Sequence, residues 1–193
     1  MDQSTGSNKI KTAVFISGNG SNLKSLIKFS KQKKSPISVN LIISNNPKSK
    51  GLNFGKVFRI KKKVFNFKNK NLAEKRILVY LKKNKINLIC LAGFMKILSK
   101  TFIKNFDGKI INIHPSLLPK FKGLNTHKRA IHNKEKYSGC TVHFVNSRLD
   151  SGKIILQSKV KIQKNDTPIS LSKRILTKEH KLYPRAILKI FNP

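Results

Sequence analysis

Apolar residues form compact runs over the first half of the chain, and segments with helical apolar spacing lie between these runs. A short continuous apolar run predicts a buried strand, whereas apolar positions three and four residues apart predict a helix. We therefore expect strands at residues 11–17, 39–44, 63–67, 86–92 and 110–113, and helices at 23–29, 52–58 and 72–83. Strands that alternate with helices predict an α/β fold with a parallel, doubly wound sheet.

The second half of the chain has a different pattern. Residues 141–146 alternate between apolar and polar positions, and residues 153–161 form another strand-like run after a turn at residues 150–152. Strands this close in sequence are expected to pair as an antiparallel hairpin, which makes the sheet mixed. Thr167 and Pro168 then open a long helix towards Leu188, with Pro at a tolerated first-turn position.

No internal repeat or linker divides the chain, so we expect one domain over residues 11–193. A polar, disordered lead-in is expected at residues 1–10. This segment also lacks the apolar core of a secretory signal. The sequence contains no run of 18 apolar residues, so we expect no membrane-spanning helix. With 193 residues, 38% of them hydrophobic, the chain is long enough for one substantial core.

The strand predicted at residues 110–113 leads into an amide and an imidazole. Asn112 and His114 are two residues apart, so they share one face of the strand, and Pro115 then stops it. Open α/β sheets bind their ligands at the carboxyl ends of strands. A neutral donor beside a titratable group suits a reaction in which a carbonyl oxygen becomes negative. This pair is therefore the first candidate for catalysis.

Small and polar residues connect the first predicted strand to the first predicted helix. Residues 17–22 have the sequence SGNGSN, which lets the backbone approach a ligand at a helix start. Unpaired N–H groups and the helix dipole favour a phosphate there. The loop lacks the Gly-Lys-Ser/Thr of a Walker loop, and Leu23 stands where a dinucleotide fingerprint has its third glycine. The alternative is a plain tight turn capped by Ser21.

Asp150 has two interpretations. A carboxylate at a loop tip is usually only solvated. If the loop instead folds back towards His114, the carboxylate would favour the imidazolium and hold the ring in place. Residues 91–98 continue the apolar pattern past a strand end and predict either core or a wall for a flat, partly apolar ligand. Surface or structural roles are expected for the four other histidines. His132 and His180 fall on apparent helices, whereas His127 and His143 lie near the proposed site in sequence order.

The formal net charge of +35 raises the possibility of a nucleic-acid partner. Lysine supplies most of the excess and is spread along the whole chain, whereas arginine, which phosphate and base recognition favour, occurs only six times. Lys, Asn and Ile share A+T-rich codons, so we attribute the excess to codon bias and to steering of anionic substrates. We expect neither a specific nucleic-acid partner nor a membrane partner.

Cys90 lies in a predicted strand and Cys140 directly precedes one, and the sequence has no C-x-x-C motif or histidine cluster at metal spacing. Buried free thiols in a reducing cytoplasm are the expected state. No metal site is expected.

Five motifs together resemble the phosphoribosylglycinamide formyltransferases, the folate-dependent enzymes of purine synthesis. They occur in family order and span about Lys11 to Pro184. The motifs are residues 16–23, residues 91–99, residues 112–119, residues 139–152, and Glu179-His180 with Tyr183-Pro184. The resemblance implies a Rossmann-like formyltransferase fold.

The resemblance also implies roles for individual residues. Asn112, His114 and Asp150 would form the catalytic triad of formyl transfer from 10-formyltetrahydrofolate, with no metal. The implied contacts to glycinamide ribonucleotide come from Gly20, Ser21, Asn22, Pro115 and Glu179. The implied contacts to the folate come from Met95, Lys96, Ile97, Leu98 and Asn112, and from Lys70.

Two positions depart from the family pattern. Lys70 stands where relatives have a folate-contacting arginine, and the two side chains are not equivalent at a bidentate site. Ser147 stands where the family usually has an acidic residue.

Three rival functions remain open from the sequence. Methionyl-tRNA formyltransferase and formyltetrahydrofolate hydrolase look similar around an Asn-x-His motif. The tRNA enzyme normally has Gly rather than Pro after this His, and both usually carry an additional domain that we do not expect here. A basic nucleic-acid-binding module would show tight, salt-sensitive binding without turnover. The chain is expected to be a monomer or a homodimer.

Overall fold

The structure, a computed structural model, describes residues 9–191 and contains one seven-stranded sheet. The strands are β1 (Ile10–Ile16), β2 (Ile37–Ser44), β3 (Lys61–Val64), β4 (Leu88–Leu91), β5 (Lys109–His114), β6 (Tyr137–Phe144) and β7 (Ile154–Lys161). Their spatial order is β3-β2-β1-β4-β5-β6-β7. The first five strands are parallel, and β6 and β7 are antiparallel to their neighbours. The predicted mixed, doubly wound sheet is confirmed.

Helices cover both faces of this sheet. They are α1 (Ser21–Ser30), α2 (Asn53–Val57), α3 (Lys70–Lys83), α4 (Lys100–Asn105), α5 (Thr126–His132) and α6 (Pro168–Phe191). One apolar cluster joins a sheet face to α1 and α6, and a second joins the opposite face to α3 and α4. Because both faces are covered, the central strands β1 and β4 are almost continuously apolar.

Several element boundaries differ from the sequence predictions. Strand β3 covers Lys61–Val64 rather than residues 63–67, because the register with β2 pairs Leu41 with Lys61 and ends with Ser44 opposite Val64. Strand β6 begins at Tyr137 rather than residue 141. At its start, a Cβ on Gly139 would lie 2.0 Å from the carbonyl oxygen of Ser158, so only glycine permits this close pairing with β7. Helix α4 was not predicted, because its six residues are too few for a periodic pattern.

The predicted lead-in at residues 1–10 lies outside the described residues except at its end. Ile10 begins β1, and the Lys9 ammonium donates to the carbonyl oxygens of Ser30 and Gln32. The disorder predicted for Lys9 and Ile10 is therefore wrong. Both cysteines are buried free thiols, as expected, and burial raises the pKa of Cys140 to about 12. Within residues 9–191, none of the helices has the length and apolarity that crossing a bilayer requires.

A buried tyrosine supports the strands that carry the site. The Tyr183 hydroxyl on α6 lies 3.0 Å from the carbonyl oxygen of Leu91 and 3.1 Å from that of Ile111, and its single proton serves both acceptors. Leu91 ends β4, and Ile111 directly precedes Asn112 in β5. The hydroxyl therefore connects α6 to the last residue of β4 and to the residue of β5 that precedes Asn112.

Tyr183→Phe is expected to lower the free energy of unfolding by about 1–2 kcal/mol, because two buried carbonyl groups lose this donor. For a chain of this size, each kcal/mol corresponds to about 2–4 °C in Tm. Thermal denaturation measures the shift. Tyr137→Phe is the control, since Tyr137 is half-exposed and its replacement should leave Tm unchanged. An unchanged Tm for Tyr183→Phe would contradict the supporting role.

Candidate active site

A cleft of about 570 Å³ opens at the carboxyl ends of β4 and β5. The order of the sheet reverses between β1 and β4, and open α/β sheets bind ligands at such a switch point. Asn112, His114 and Asp150 line the cleft, and Leu91 and Leu98 supply apolar wall. The cleft thus joins titratable groups to a surface suited to a flat, partly apolar molecule.

His114 and Asp150 come together in this cleft. The His114 Nδ1 atom lies 3.4 Å from Asp150 Oδ2, and both side chains are more than nine-tenths buried. The other ring nitrogen, Nε2, donates to the carbonyl oxygen of Phe121 at 2.9 Å. Asp150 Oδ2 also accepts from the backbone N–H of Gly123 at 2.9 Å. The alternative of a merely solvated Asp150 is wrong, because its loop folds back onto the imidazole.

Asn112 is held by a histidine for which the sequence predicted only a surface or structural role. Its Nδ2 lies 3.2 Å from His143 Nε2, on the neighbouring strand β6. His143 Nδ1 donates to the carbonyl oxygen of Phe144 at 2.8 Å, so in the neutral ring Nε2 carries the lone pair and accepts from Asn112. One N–H of Asn112 is thereby occupied, and within residues 9–191 the other has no acceptor, so it can donate to a ligand.

Burial keeps His143 in this neutral form. Desolvation lowers the pKa of His143, and this effect outweighs the Phe144 carbonyl and the Asp150 carboxylate, which raise it. Asp150 Oδ1 lies 3.7 Å from His143 Nε2. The single carboxylate therefore lies between two rings.

Backbone geometry places Asp150. The residue adopts a left-handed conformation, with φ of 45°, at the tip of the loop between β6 and β7. Two residues later, a Cβ on Gly152 would lie 1.7 Å from the carbonyl oxygen of Phe144. The Lys122 ammonium donates to Ser151 Oγ at 2.6 Å and ties the loop to the segment after β5. Glycine at 152 is thus a requirement for the position of the carboxylate.

The glycine-rich loop leads into α1 as the phosphate hypothesis requires. Gly20, with φ of 73°, is the N-cap residue, and no side chain caps the helix. The proposed cap by Ser21 is wrong, since Ser21 is already the first residue of α1. A Cβ on Gly20 would lie 2.8 Å from the Cα of Gly51, so this position needs glycine for both φ and space. In the described part of the chain, the first N–H groups of α1 have no side-chain partner and can bind an anion.

Asn22 and Glu179, two of the predicted substrate contacts, bind each other. Asn22 Nδ2 donates to Glu179 Oε2 at 2.6 Å, which connects the start of α1 to α6. Asn22 Oδ1 is buried and has no hydrogen-bond partner within residues 9–191. An acceptor in this state can take a donor from a ligand.

Glu179→Gln is expected to stabilise the protein at neutral pH. Burial raises the pKa of Glu179, although the hydrogen bond from Asn22 lowers it in part. A carboxyl whose pKa is raised on folding supports the fold at low pH, and this support is lost as the pH rises through the folded-state pKa. The glutamine has no such loss. The free energy of unfolding of the variant should therefore exceed that of the wild type at pH 7–8, and the difference should shrink towards pH 4.

Chemical denaturation at a series of pH values measures this difference. Glu135→Gln is the control, because Glu135 is only partly buried and pairs with Lys120 on the surface. A Glu179→Gln variant that is less stable than the wild type at pH 8 would show that the bond from Asn22 outweighs burial.

The predicted folate wall presents exposed apolar side chains to the cleft. Met95 is 65% exposed and Ile97 is 63% exposed, and both line the cleft together with Lys96 and Leu98. Lys70 is at the start of α3, is exposed, and is outside the cleft lining. Pro115 lines the cleft beside His114. The structure thus brings the implied folate residues together except for Lys70.

His127 also lines the cleft, and its buried Nε2 has no partner in the described part of the chain. The pKa of His127 is lowered by burial and, to a smaller extent, by the nearby His114. Alternation along β6 gave a signal for His143, because it lies on the same sheet face as Asn112 once the two strands pair. For His127, the sequence signal was its position near the proposed site along the chain. Across residues 9–191, no group of three or more His, Cys, Asp or Glu side chains is arranged to hold a metal ion.

Comparisons with known proteins give a consistent result. A family model described as formyl transferase matches residues 10–187. Phosphoribosylglycinamide formyltransferase of Haemophilus influenzae is 43% identical over 180 residues, which cover 92% of this chain and 85% of that protein. The crystal structure of phosphoribosylglycinamide formyltransferase from Brucella melitensis has a TM-score of 0.89 and 40% identity, and the match covers 95% of this chain and 96% of that one.

A longer relative matches over part of its length. The trifunctional purine biosynthetic protein adenosine-3 of Homo sapiens is 42% identical over 182 residues, which cover 93% of this chain. The chain spans 18% of the length of that relative.

Proposed function

This chain belongs to the formyl transferase family, whose model matches residues 10–187, and on that premise we propose that it is a phosphoribosylglycinamide formyltransferase. It transfers a formyl group from 10-formyltetrahydrofolate to the amine of N1-(5-phosphoribosyl)glycinamide in purine biosynthesis. Relatives that bear this enzyme name match it over most of both chains. The observation that carries the proposal is the meeting of Asn112, His114 and Asp150 in one cleft.

The fit of the two substrates supports the proposal. The exposed apolar surface of Met95 and Ile97 suits a flat pterin, and the buried Leu98 and Leu91 extend this surface inwards. The uncapped start of α1 suits the phosphate of the ribonucleotide. Asn22 Oδ1 and the Glu179 carboxylate suit its N–H and hydroxyl groups.

The proposed mechanism begins with two hydrogen-bond donors at one oxygen. The free N–H of Asn112 donates to the formyl oxygen as the neutral amine attacks and the oxygen becomes negative. His143 holds the amide in the orientation that this donation requires. His114 donates to the same oxygen through its Nε2–H, which otherwise donates to the Phe121 carbonyl.

Asp150 completes the mechanism from the far side of His114. Its carboxylate balances the positive charge on the protonated ring and holds the ring through Nδ1. It also accepts, through water, the proton that leaves the attacking amine and passes it towards the departing folate nitrogen. The buried position of this group strengthens each interaction, because little solvent screens it.

A spectroscopic assay tests the proposal. The protein is mixed with 10-formyltetrahydrofolate, and deformylation is followed with and without glycinamide ribonucleotide. We expect turnover only when the ribonucleotide is present. Formate release in its absence would instead identify a hydrolase, and formylation of methionyl-tRNA would identify the tRNA enzyme. Salt-sensitive binding to nucleic acid with no turnover of either substrate would identify a binding module.

A further inference from the structure

Ser17 occupies the point at which the two proposed substrate subsites meet. It directly follows β1 and opens the glycine-rich loop. Strand β1 lies between β2 and β4, and the order of the sheet reverses between β1 and β4. Loops that leave the two sides of a switch point diverge, which opens the crevice between them. A residue that bridges this crevice therefore joins loops that the fold would otherwise separate.

Hydrogen bonds connect Ser17 to the ends of both neighbouring strands. Its Oγ accepts from the backbone N–H of Met95 at 2.8 Å, and its own N–H donates to the carbonyl oxygen of Gly93 at 3.1 Å. On the other side, its Oγ donates to Asn45 Oδ1, and its carbonyl oxygen accepts from Asn46 Nδ2 at 3.2 Å. The side chain of Ser17 is thus both donor and acceptor, and Asn45 sets the direction of its proton.

The bond to Met95 has a particular place in the proposed folate wall. Gly93, with φ of 74° and open space around it, lets the chain turn out of β4, and the Met95 side chain is 65% exposed. The described contacts of the Met95 main chain include only one side-chain partner, which is the Ser17 hydroxyl. Ser17 therefore holds this wall segment to the glycine-rich loop through two hydrogen bonds, and only the one from Met95 involves the Ser17 side chain.

We propose that Ser17 is a positioning residue that couples the two subsites, so that an anion on the glycine-rich loop tightens binding of the formyl donor on the residue 93–98 wall. This inference rests on the proposed function. A phosphate on the N–H groups at Gly20 and Ser21 restricts the motion of residues 17–22. The hydrogen bond from the Met95 N–H to Ser17 Oγ then restricts the motion of the wall as well. By linkage, the donor must tighten binding of the anion by the same factor.

Calorimetric titration of the whole protein measures this coupling without catalysis. The probes are tetrahydrofolate for the wall and ribose 5-phosphate for the loop, since neither carries a formyl group or a reactive amine. In the wild type, saturating ribose 5-phosphate should lower the Kd for tetrahydrofolate about fivefold or more, and the reverse titration should give the same factor. In Ser17→Ala, this factor should fall to about one, and tetrahydrofolate alone should bind about 2- to 10-fold more weakly.

Ser25→Ala is the matched control. Ser25 Oγ also donates to a distant backbone carbonyl, that of His180, at 2.8 Å, but this hydrogen bond joins neither residues 17–22 nor residues 93–98. This variant should keep the wild-type coupling factor. If Ser17→Ala does not fold, Asn45→Ala tests the same link, because it removes the acceptor that orients the Ser17 hydroxyl and should reduce the coupling factor.

Other outcomes overturn the proposal. A wild-type factor of one, an unchanged factor in Ser17→Ala, or equal loss in Ser25→Ala would each show that Ser17 has only a structural role. These results are independent of the formyl-transfer assay. A protein with coupled binding but no formylation of glycinamide ribonucleotide would contradict the proposed function and leave the coupling in place.

Discussion

Replacing Asn112 or His114 by Ala is expected to lower turnover about a hundredfold or more, because each variant removes one donor to the developing oxyanion, worth about 3 kcal/mol. The effect should fall on kcat and kcat/KM together, since these donations strengthen in the transition state. Steady-state formylation of glycinamide ribonucleotide measures the loss. The fold should remain intact, because both side chains project from the end of β5 into the cleft rather than into the main core.

The double variant provides a sharper test of shared action. Two donors that act on one oxygen are coupled, so the combined loss should differ from the product of the single losses. Ser147→Ala is the matched control, because Ser147 is an exposed polar residue that lines the same cleft and has no proposed part in the chemistry. Wild-type turnover in both single variants, at unchanged Tm, would contradict the assignment of the catalytic groups.

Gly152→Ala is expected to destabilise the protein and to lower turnover together. The added Cβ would lie 1.7 Å from the Phe144 carbonyl oxygen, so the loop between β6 and β7 must move by more than 1 Å. Overpacking of this kind costs about 1–3 kcal/mol. The shift also moves Asp150 away from His114, and a misplacement of about 1 Å in a catalytic group costs about a hundredfold in rate.

Thermal denaturation and steady-state kinetics separate the two effects of Gly152→Ala. Turnover should stay low at temperatures well below the Tm of the variant, where the protein is folded. Gly18→Ala is the control for stability, because its Cβ would meet no atom within 4 Å. A Gly152→Ala variant with wild-type Tm and wild-type turnover would show that the loop can relax without moving Asp150.

The arrangement of the site explains why one loop matters so much. The carboxylate of Asp150 faces His114 through Oδ2 and His143 through Oδ1, and it also holds the backbone of Gly123. His143 in turn orients Asn112. Each oxyanion donor is therefore positioned by a neighbour on a different segment. Displacement of the loop that carries Asp150 is expected to affect both Asn112 and His114.

Local patterns predicted the parts of the protein that depend on local physics. Burial on both faces makes β1 and β4 almost continuously apolar, and residues 141–146 alternate between apolar and polar positions, so the sheet class could be predicted from periodicity. The structure buries both faces of β6, which the alternation did not predict. The shared face of Asn112 and His114 followed from the two-residue repeat of a strand. The glycine-rich loop was recognisable because a helix start and a positive φ restrict the residue types.

Contacts between segments that are distant in sequence could be identified only from the tertiary structure. The loop that carries Asp150 returns to His114 because of a left-handed residue and a glycine packed against a carbonyl, and neither has a periodic signature. Asn22 meets Glu179 across 157 positions, and His143 meets Asn112 only because β6 pairs with β5 in one register. Periodicity reports which face of an element is buried, whereas the partner across a gap is chosen by the packing of the whole molecule.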